Sequence, residues 1–261
     1  IAWDGEGVTD NKGAHHYVLF AGKSPVKEIS LVDPNGIAAA RIFDALLDMR
    51  EACPDGIHIL YGGNYDVNMF LLGMTRDELW LLRNRKFFDW GDYRLSWRPG
   101  KTFYVCRINS NGERVGKGVT VYDVVSFFQR PFVQACEEYL GADFPGRDIV
   151  VKNKRLRHGF SMADIDEIKA YNQTELCLLV QLADSLRSRL AAADLLPSRW
   201  DGPGAIAAKL LTREGVKNAL CRDIPEEVSY AARCAYFGGR FETIKFGHCE
   251  LPAYEYDINS A

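Results

Sequence analysis

No run of the sequence is apolar for long enough to cross a bilayer, and no secretory leader pattern is present, so no membrane partner is expected. There is no C-x-x-C pair either. The seven cysteines, at 53, 106, 136, 177, 221, 234 and 249, are scattered, which argues against a zinc ribbon or a disulfide framework and fits a reducing, cytoplasmic setting. Internal repeats and low-complexity tracts are missing, which excludes a solenoid. An excess of positive charge is missing too. With 32 lysines and arginines against 35 acids the formal net charge is −3, so a wholly basic nucleic-acid coat is excluded. A basic groove on an otherwise balanced surface is not. What is present is ordinary for a globular protein: 261 residues, 47% apolar and 26% charged, enough for one or two domains with full cores.

Apolar alternation predicts strands from Ile1 to Trp3, Tyr17 to Ala21 and Glu28 to Val32, then a turn at Asp33-Pro34-Asn35-Gly36. Ile42, Leu46, Leu47 and Arg50 have helical spacing. Gly56 to Tyr61 reads as a buried strand that breaks at Gly62-Gly63-Asn64 into a helix carrying Met69, Phe70 and Leu72. Arg94 to Ile108 and Gly118 to Tyr122 alternate like sheet strands, with a hairpin turn at Ser110-Asn111-Gly112-Glu113. A long helix is expected from about Met162 to Leu195, ended by Leu196-Pro197, and shorter helices near Ala205 to Leu211 and Glu226 to Arg233. The β-β-β-α-β-α opening is an α/β arrangement of the ribonuclease H-like kind.

Chemistry concentrates in a few carboxylates. Asp4 and Glu6 lie two apart on the first strand, so both project from one side. Two adjacent acids repel unless a cation lies between them, which points to a divalent-metal site; the alternative is a polar strand end framed by Gly5 and Gly7. Asp66 follows an apolar strand at its carboxyl end, where open α/β sheets hold ligands, although the dipole of the following helix favours an acid there in any case. Tyr171 and Glu175 are one helical turn apart, on a face shared with Ile168, Leu178, Leu179 and Leu182. An acid in such a stripe needs a metal, a water or an exposed edge to compensate it.

Together Asp4, Glu6, Asp66, Tyr171 and Glu175 have the order and element placement of the DEDD-type 3′–5′ exonucleases, which the chain resembles in its first 190 residues. The resemblance implies a ribonuclease H-like domain that hydrolyses the single-stranded 3′ end of DNA with two Mg2+ or Mn2+ ions. The four acids would hold the metals and Tyr171 would orient the attacking water. Glu175 stands where most members carry Asp. Asn64 directly precedes Tyr65-Asp66, whereas the usual Asn lies further upstream of the aromatic-Asp pair. By the same resemblance Asn64, Tyr65, Ser126 and Phe127 are candidate DNA contacts, aromatics such as Phe127 stacking on unpaired bases. So is a lysine of the basic cluster Lys152, Lys154, Arg155, Arg157, His158, with Lys152 and Lys154 both open.

Residues 191–261 read as linker helices followed by the start of a polymerase palm. Tyr236-Phe237-Gly238-Gly239-Arg240 resembles the Y-x-G-G motif of family B DNA polymerases of the phage and organellar-plasmid branch, and Tyr256-Asp257-Ile258-Asn259-Ser260-Ala261 resembles their first palm motif. The resemblance implies primer-template contacts from Tyr236, Gly238, Gly239 and Arg240. It also implies two further metal ions at Asp257 and a dNTP pocket involving Asn259 and Ser260. The chain starts on a strand at Ile1 and stops inside the palm motif, so it reads as the front of a proofreading replicative polymerase of a virus or mobile element. Such an enzyme would work in the host cytoplasm or an organelle, with a terminal priming protein as a possible partner. A stand-alone exonuclease of the same superfamily and a non-catalytic DNA-binding module are the alternatives.

Overall fold

The computed structural model describes residues 1–10, 12–216 and 224–235. The motifs at Tyr236, Gly238, Gly239, Arg240, Asp257, Asn259 and Ser260 lie outside them. The chain divides into two compact units, Ile1–Glu214 and Gly215–Ala261. In the second, the described helix Glu226–Ala235 matches the expected one.

The first unit is an α/β domain on one eight-stranded mixed sheet of order β3-β2-β1-β4-β8-β7-β6-β5. Strands β1 (Ala2–Thr9), β2 (His15–Lys23) and β3 (Glu28–Val32) form an antiparallel meander. The helix α1 (Ala39–Ala52) then crosses to β4 (His58–Leu60), which lies parallel to β1 and to β8 (Arg114–Asp123). Helices α2 (Asn64–Phe70) and α3 (Arg76–Asn84) lead into β5 (Phe88–Trp90), β6 (Tyr93–Arg98) and β7 (Thr102–Ile108), which extend the sheet antiparallel beyond β8. The expected turn between β7 and β8 is present, closed by Asn109 and Glu113. The apolar pattern gives no sign of α3. Its start is fixed by a capping box in which Thr75 Oγ1 accepts from the Glu78 amide and the Glu78 carboxylate accepts from the Thr75 amide.

Alternation along β1 sends Trp3 to one face and Ala2 to the other, and each face has its own core. On one, Trp3, Phe20, Phe43, Leu46 and Phe103 pack beneath α1 to α3; Trp3 stacks on Phe20 with ring centroids 5.1 Å apart. On the other, Ala2, Val18, Ile59 and Val124 meet α5 (Phe132–Leu140), α6 (Arg147–Leu156) and α7 (Ile165–Ala192), which follow the short α4 (Val125–Phe128). Each fully buried Leu, Phe or Ile contributes about 1.5–3 kcal/mol.

The long α7 carries this second layer. Its buried positions Ile168, Tyr171, Asn172, Glu175, Leu176, Leu179, Leu182, Leu186 and Leu190 recur at three- and four-residue intervals and face β1, β2, α5 and α6. After it, Trp200 is buried against the same core and α8 (Pro203–Arg213) follows. No helix among the described residues is long and apolar enough to cross a membrane.

Candidate metal centre

The site forms where β1 outruns its parallel neighbour. The strand β4 pairs with β1 at Ala2 and ends at Leu60, so Asp4 and Glu6 lie on β1 beyond the carboxyl end of β4. Both share the face of Ala2, toward α7. From α7, Glu175 arrives opposite them, and Asp4, Glu6 and Glu175 each offer an oxygen within 4.8 Å of the others. Glu6 and Glu175 are buried and Asp4 is half-buried. The fourth acid enters from the turn after β4: Gly62-Gly63 opens α2, whose first turn carries the buried Asp66.

These acids feel one another. Burial, then repulsion from Glu175, Glu6 and Asp66, holds the Asp4 carboxyl well above the usual carboxylate range. Burial with Glu175 and Asp66 pushes Glu6 up to about 8. Asp66 is pushed up to about 7, chiefly by burial, against the hydrogen bond it accepts from Tyr17. Lys154 on α6 is the cation that reaches the cluster, with Nζ 2.7 Å from Glu175 and 5.3 Å from the Phe132 ring centroid. Arg157 also acts on Glu6. A cleft of about 270 Å3 opens here, lined by Asp4, Glu175, Lys154, Arg157, Tyr61 and Phe132 among others.

Two hydrogen bonds with little or no local sequence signal hold the acids in place. Asn172, fully buried one residue after Tyr171, donates its amide to Asp4 Oδ2 at 2.8 Å. Tyr17 on β2 donates its hydroxyl to Asp66 Oδ1 at 2.7 Å. That hydroxyl crosses directly over Gly5, where a Cβ would lie 1.8 Å from it, and a Cβ at Gly7 would meet the Tyr65 hydroxyl at 2.3 Å. The glycines between the acids are clearance for two tyrosines. The sequence carries a faint signal for Asn172, three residues before Glu175 on the same turn, and for Tyr17 none apart from Gly5.

The remaining expected residues separate. Tyr171 is buried against Phe160 beside Glu175; burial and the charge of Glu175 drive its phenol far above the ordinary range, and its hydroxyl has no hydrogen-bond partner among the described residues. Tyr65 is exposed at the rim, its hydroxyl 2.8 Å from His15 Nε2. Lys152 points elsewhere, to Glu167 at 2.8 Å, so of the two lysines it is Lys154 that meets the acids. Asn64 accepts from the Gly100 amide at 2.8 Å and so pins the β6–β7 turn. Ser126 and Phe127 do not line the acidic cleft. The Phe127 ring rests on Trp200, 5.9 Å between centroids, and Ser126 lines a separate cavity of about 760 Å3 with Lys101, Arg199 and Lys209.

Comparison of the chain with protein-family models, with curated proteins and with solved structures returned no match. The donor set therefore has to speak for itself. Three carboxylate oxygens converging at partly desolvated positions, with a fourth acid adjacent and one lysine as partial counter-charge, fit a hard divalent cation, which takes oxygen ligands.

Proposed function

We propose that this domain is a metal-dependent 3′–5′ exonuclease of the DEDD type on a ribonuclease H-like fold, the proofreading part of a family B DNA polymerase. The observation that carries the reading is the meeting of Asp4, Glu6 and Glu175 within 4.8 Å, from a strand and a helix about 170 residues apart in sequence, with Asp66 alongside. The sheet order β3-β2-β1-β4-β8, with an antiparallel meander leading into parallel β1, β4 and β8, supports the ribonuclease H-like assignment.

Asp4, Glu6, Asp66 and Glu175 would hold Mg2+ or Mn2+, and the ions supply the charge that makes hydroxide available and stabilises a leaving oxygen. The chain's own residues do the rest. Tyr171 keeps its proton across the working pH range and holds its buried hydroxyl beside Glu175, from where it would orient a water. Lys154 and Arg157 line the cleft as phosphate-binding cations. Tyr65 offers an exposed ring at the rim for an unpaired base. Phe132 and Tyr61 line the same cleft, their rings edge to face with centroids 5.0 Å apart.

The polymerase assignment rests on the resemblance of Tyr236–Arg240 and Tyr256–Ala261, with Asp257, Asn259 and Ser260 as its metal and dNTP residues. The same acid cluster serves a stand-alone exonuclease equally well. The test is hydrolysis of a 3′-labelled single-stranded oligonucleotide with Mg2+ or Mn2+. Release of mononucleotides from the 3′ end, abolished in Asp4→Ala and Glu6→Ala, is expected. Hydrolysis that survives in both variants would falsify the site.

A further inference from the structure

The formal charge of −3 conceals a strong local imbalance. Between Arg83 and Lys117 nine lysines and arginines stand against three acids, Asp89, Asp92 and Glu113. Those residues build the β5–β8 extension of the sheet, whose two faces differ sharply. Leu95, Phe103, Val105 and Val119 point into the core beneath α1 and α3. The residues that alternate with them, Arg94, Ser96, Tyr104 and Thr120, belong to neither core and are half-buried.

On this outer face Tyr104 lies across Gly118, where a Cβ would come within 2.4 Å of its hydroxyl. The exposed Phe87 meets Tyr104 edge-on with centroids 5.9 Å apart, and Lys86 Nζ lies 5.5 Å from the Phe87 centroid. The charge of Arg114 reaches the Tyr104 hydroxyl. Lys86, Arg98 and Arg114 are exposed and take part in none of the ion pairs among the described residues. The Arg94 charge is answered within the face, by Asp89 at 2.6 Å. Two aromatic rings in a field of unanswered cations make a surface that takes flat π-faces and phosphates together.

We infer that the outer face of β5–β8 is a second nucleic-acid site, on which a single DNA strand stacks bases on Phe87 and Tyr104 and lays its phosphates along Lys86, Arg98 and Arg114. The face is sequence-tolerant, because rings and point charges read no base edge. None of these residues lines the acidic cleft, so the site operates whether or not the cleft hydrolyses anything. Its role is to hold a strand that is not being cut, or the part of a long strand well away from its 3′ end.

The experiment is fluorescence anisotropy of a labelled 20-mer of thymidylate with the whole chain in EDTA, which suppresses metal-dependent hydrolysis. Phe87→Ala is expected to weaken binding roughly 5- to 100-fold. Arg114→Ala combined with Arg98→Ala is expected to flatten the salt dependence by about 0.7 in log–log slope for each phosphate no longer neutralised. All three side chains are exposed, so folding survives the changes. Hydrolysis of a dinucleotide, too short to span both regions, should keep its rate in every one of these variants. Affinity within twofold of the parent in both variants overturns the proposal. So does a change confined to sedimentation, which would make the face a contact between copies of the chain. Absence of Mn2+-dependent hydrolysis in the parent would remove the exonuclease reading and leave this binding result standing.

Discussion

Asp123 and the acid cluster are two acidic regions on one sheet, flanking β4, and their surroundings are opposite. At the end of β8, Asp123 accepts the amides of Gly62 at 2.9 Å, Gly63 at 3.0 Å and Val125 at 3.1 Å. Both of its carboxylate oxygens are answered by backbone amides. On β1, beyond the end of β4, Asp4, Glu6 and Glu175 face chiefly one another, with Lys154 and Asn172 as the nearest donors. An acid surrounded by amides is a structural tie; acids surrounded by acids need a ligand. The tie also serves the cluster, because Asp123 fixes the Gly62-Gly63 turn from which α2 presents Asp66.

That contrast can be broken experimentally. The largest effect belongs to Glu6→Ala or Asp4→Ala: about 4 kcal/mol less transition-state stabilisation, roughly a thousandfold in hydrolysis rate, with folding in EDTA preserved or improved. Asp123→Ala should do the reverse in its primary effect and cost about 2–3 kcal/mol of stability by denaturant titration, because three amides are left without a charged acceptor. Equal destabilisation by Glu6→Ala and Asp123→Ala would erase the distinction.

The pH dependence sharpens it further. Glu6 and Asp66 have folded values near 8 and 7, above their ordinary values, so the folded protein binds more protons than the unfolded one through that range. Stability in EDTA should therefore fall as pH rises from about 5 to about 8. Added Mn2+ should reverse the loss most at the high end, by about 2.7 kcal/mol at a hundredfold excess over Kd. A melting temperature in EDTA that rises over the same interval would contradict the picture of unanswered carboxylates. Tyr17→Phe releases Asp66 from one side and should weaken Mn2+ binding roughly 10-fold, measured by calorimetry. The smallest effect is expected from Lys152→Ala, an exposed pair worth under about 1 kcal/mol, without change in metal affinity.

Much of this architecture is readable from period alone. The two-residue spacing of Asp4 and Glu6, the four-residue spacing of Tyr171 and Glu175, and the β7–β8 turn are local patterns, and local geometry realises them. What escapes such reading are relations between distant segments. Nothing near Tyr17 says that it crosses Gly5 to reach Asp66, and nothing in a run of cations says which lysine faces inward. The helix α6 decides the latter: two residues of helical rotation turn Lys154 toward Glu175 and Lys152 toward Glu167. The helices α5 and α6 are equally hidden, since α6 buries only Val150 and Asn153 and so carries a short apolar stripe. The wide spread of basic residues through β5–β8 is visible as sequence but acquires meaning from which sheet face each one occupies.

The hydrogen bond from Asn172 to Asp4 joins positions 168 residues apart. During synthesis the first strand emerges long before α7, and domains fold as units once their segments are available. Asp4 and Glu6 therefore have no opposing Glu175 until α7 has been made and has docked on the sheet. A nascent chain that stops short of α7 contains every strand of the sheet and the acids Asp4, Glu6 and Asp66, yet no carboxylate facing them from the helical layer. A metal site built from these acids would therefore be completed late and all at once, as a property of the finished domain rather than of any segment within it.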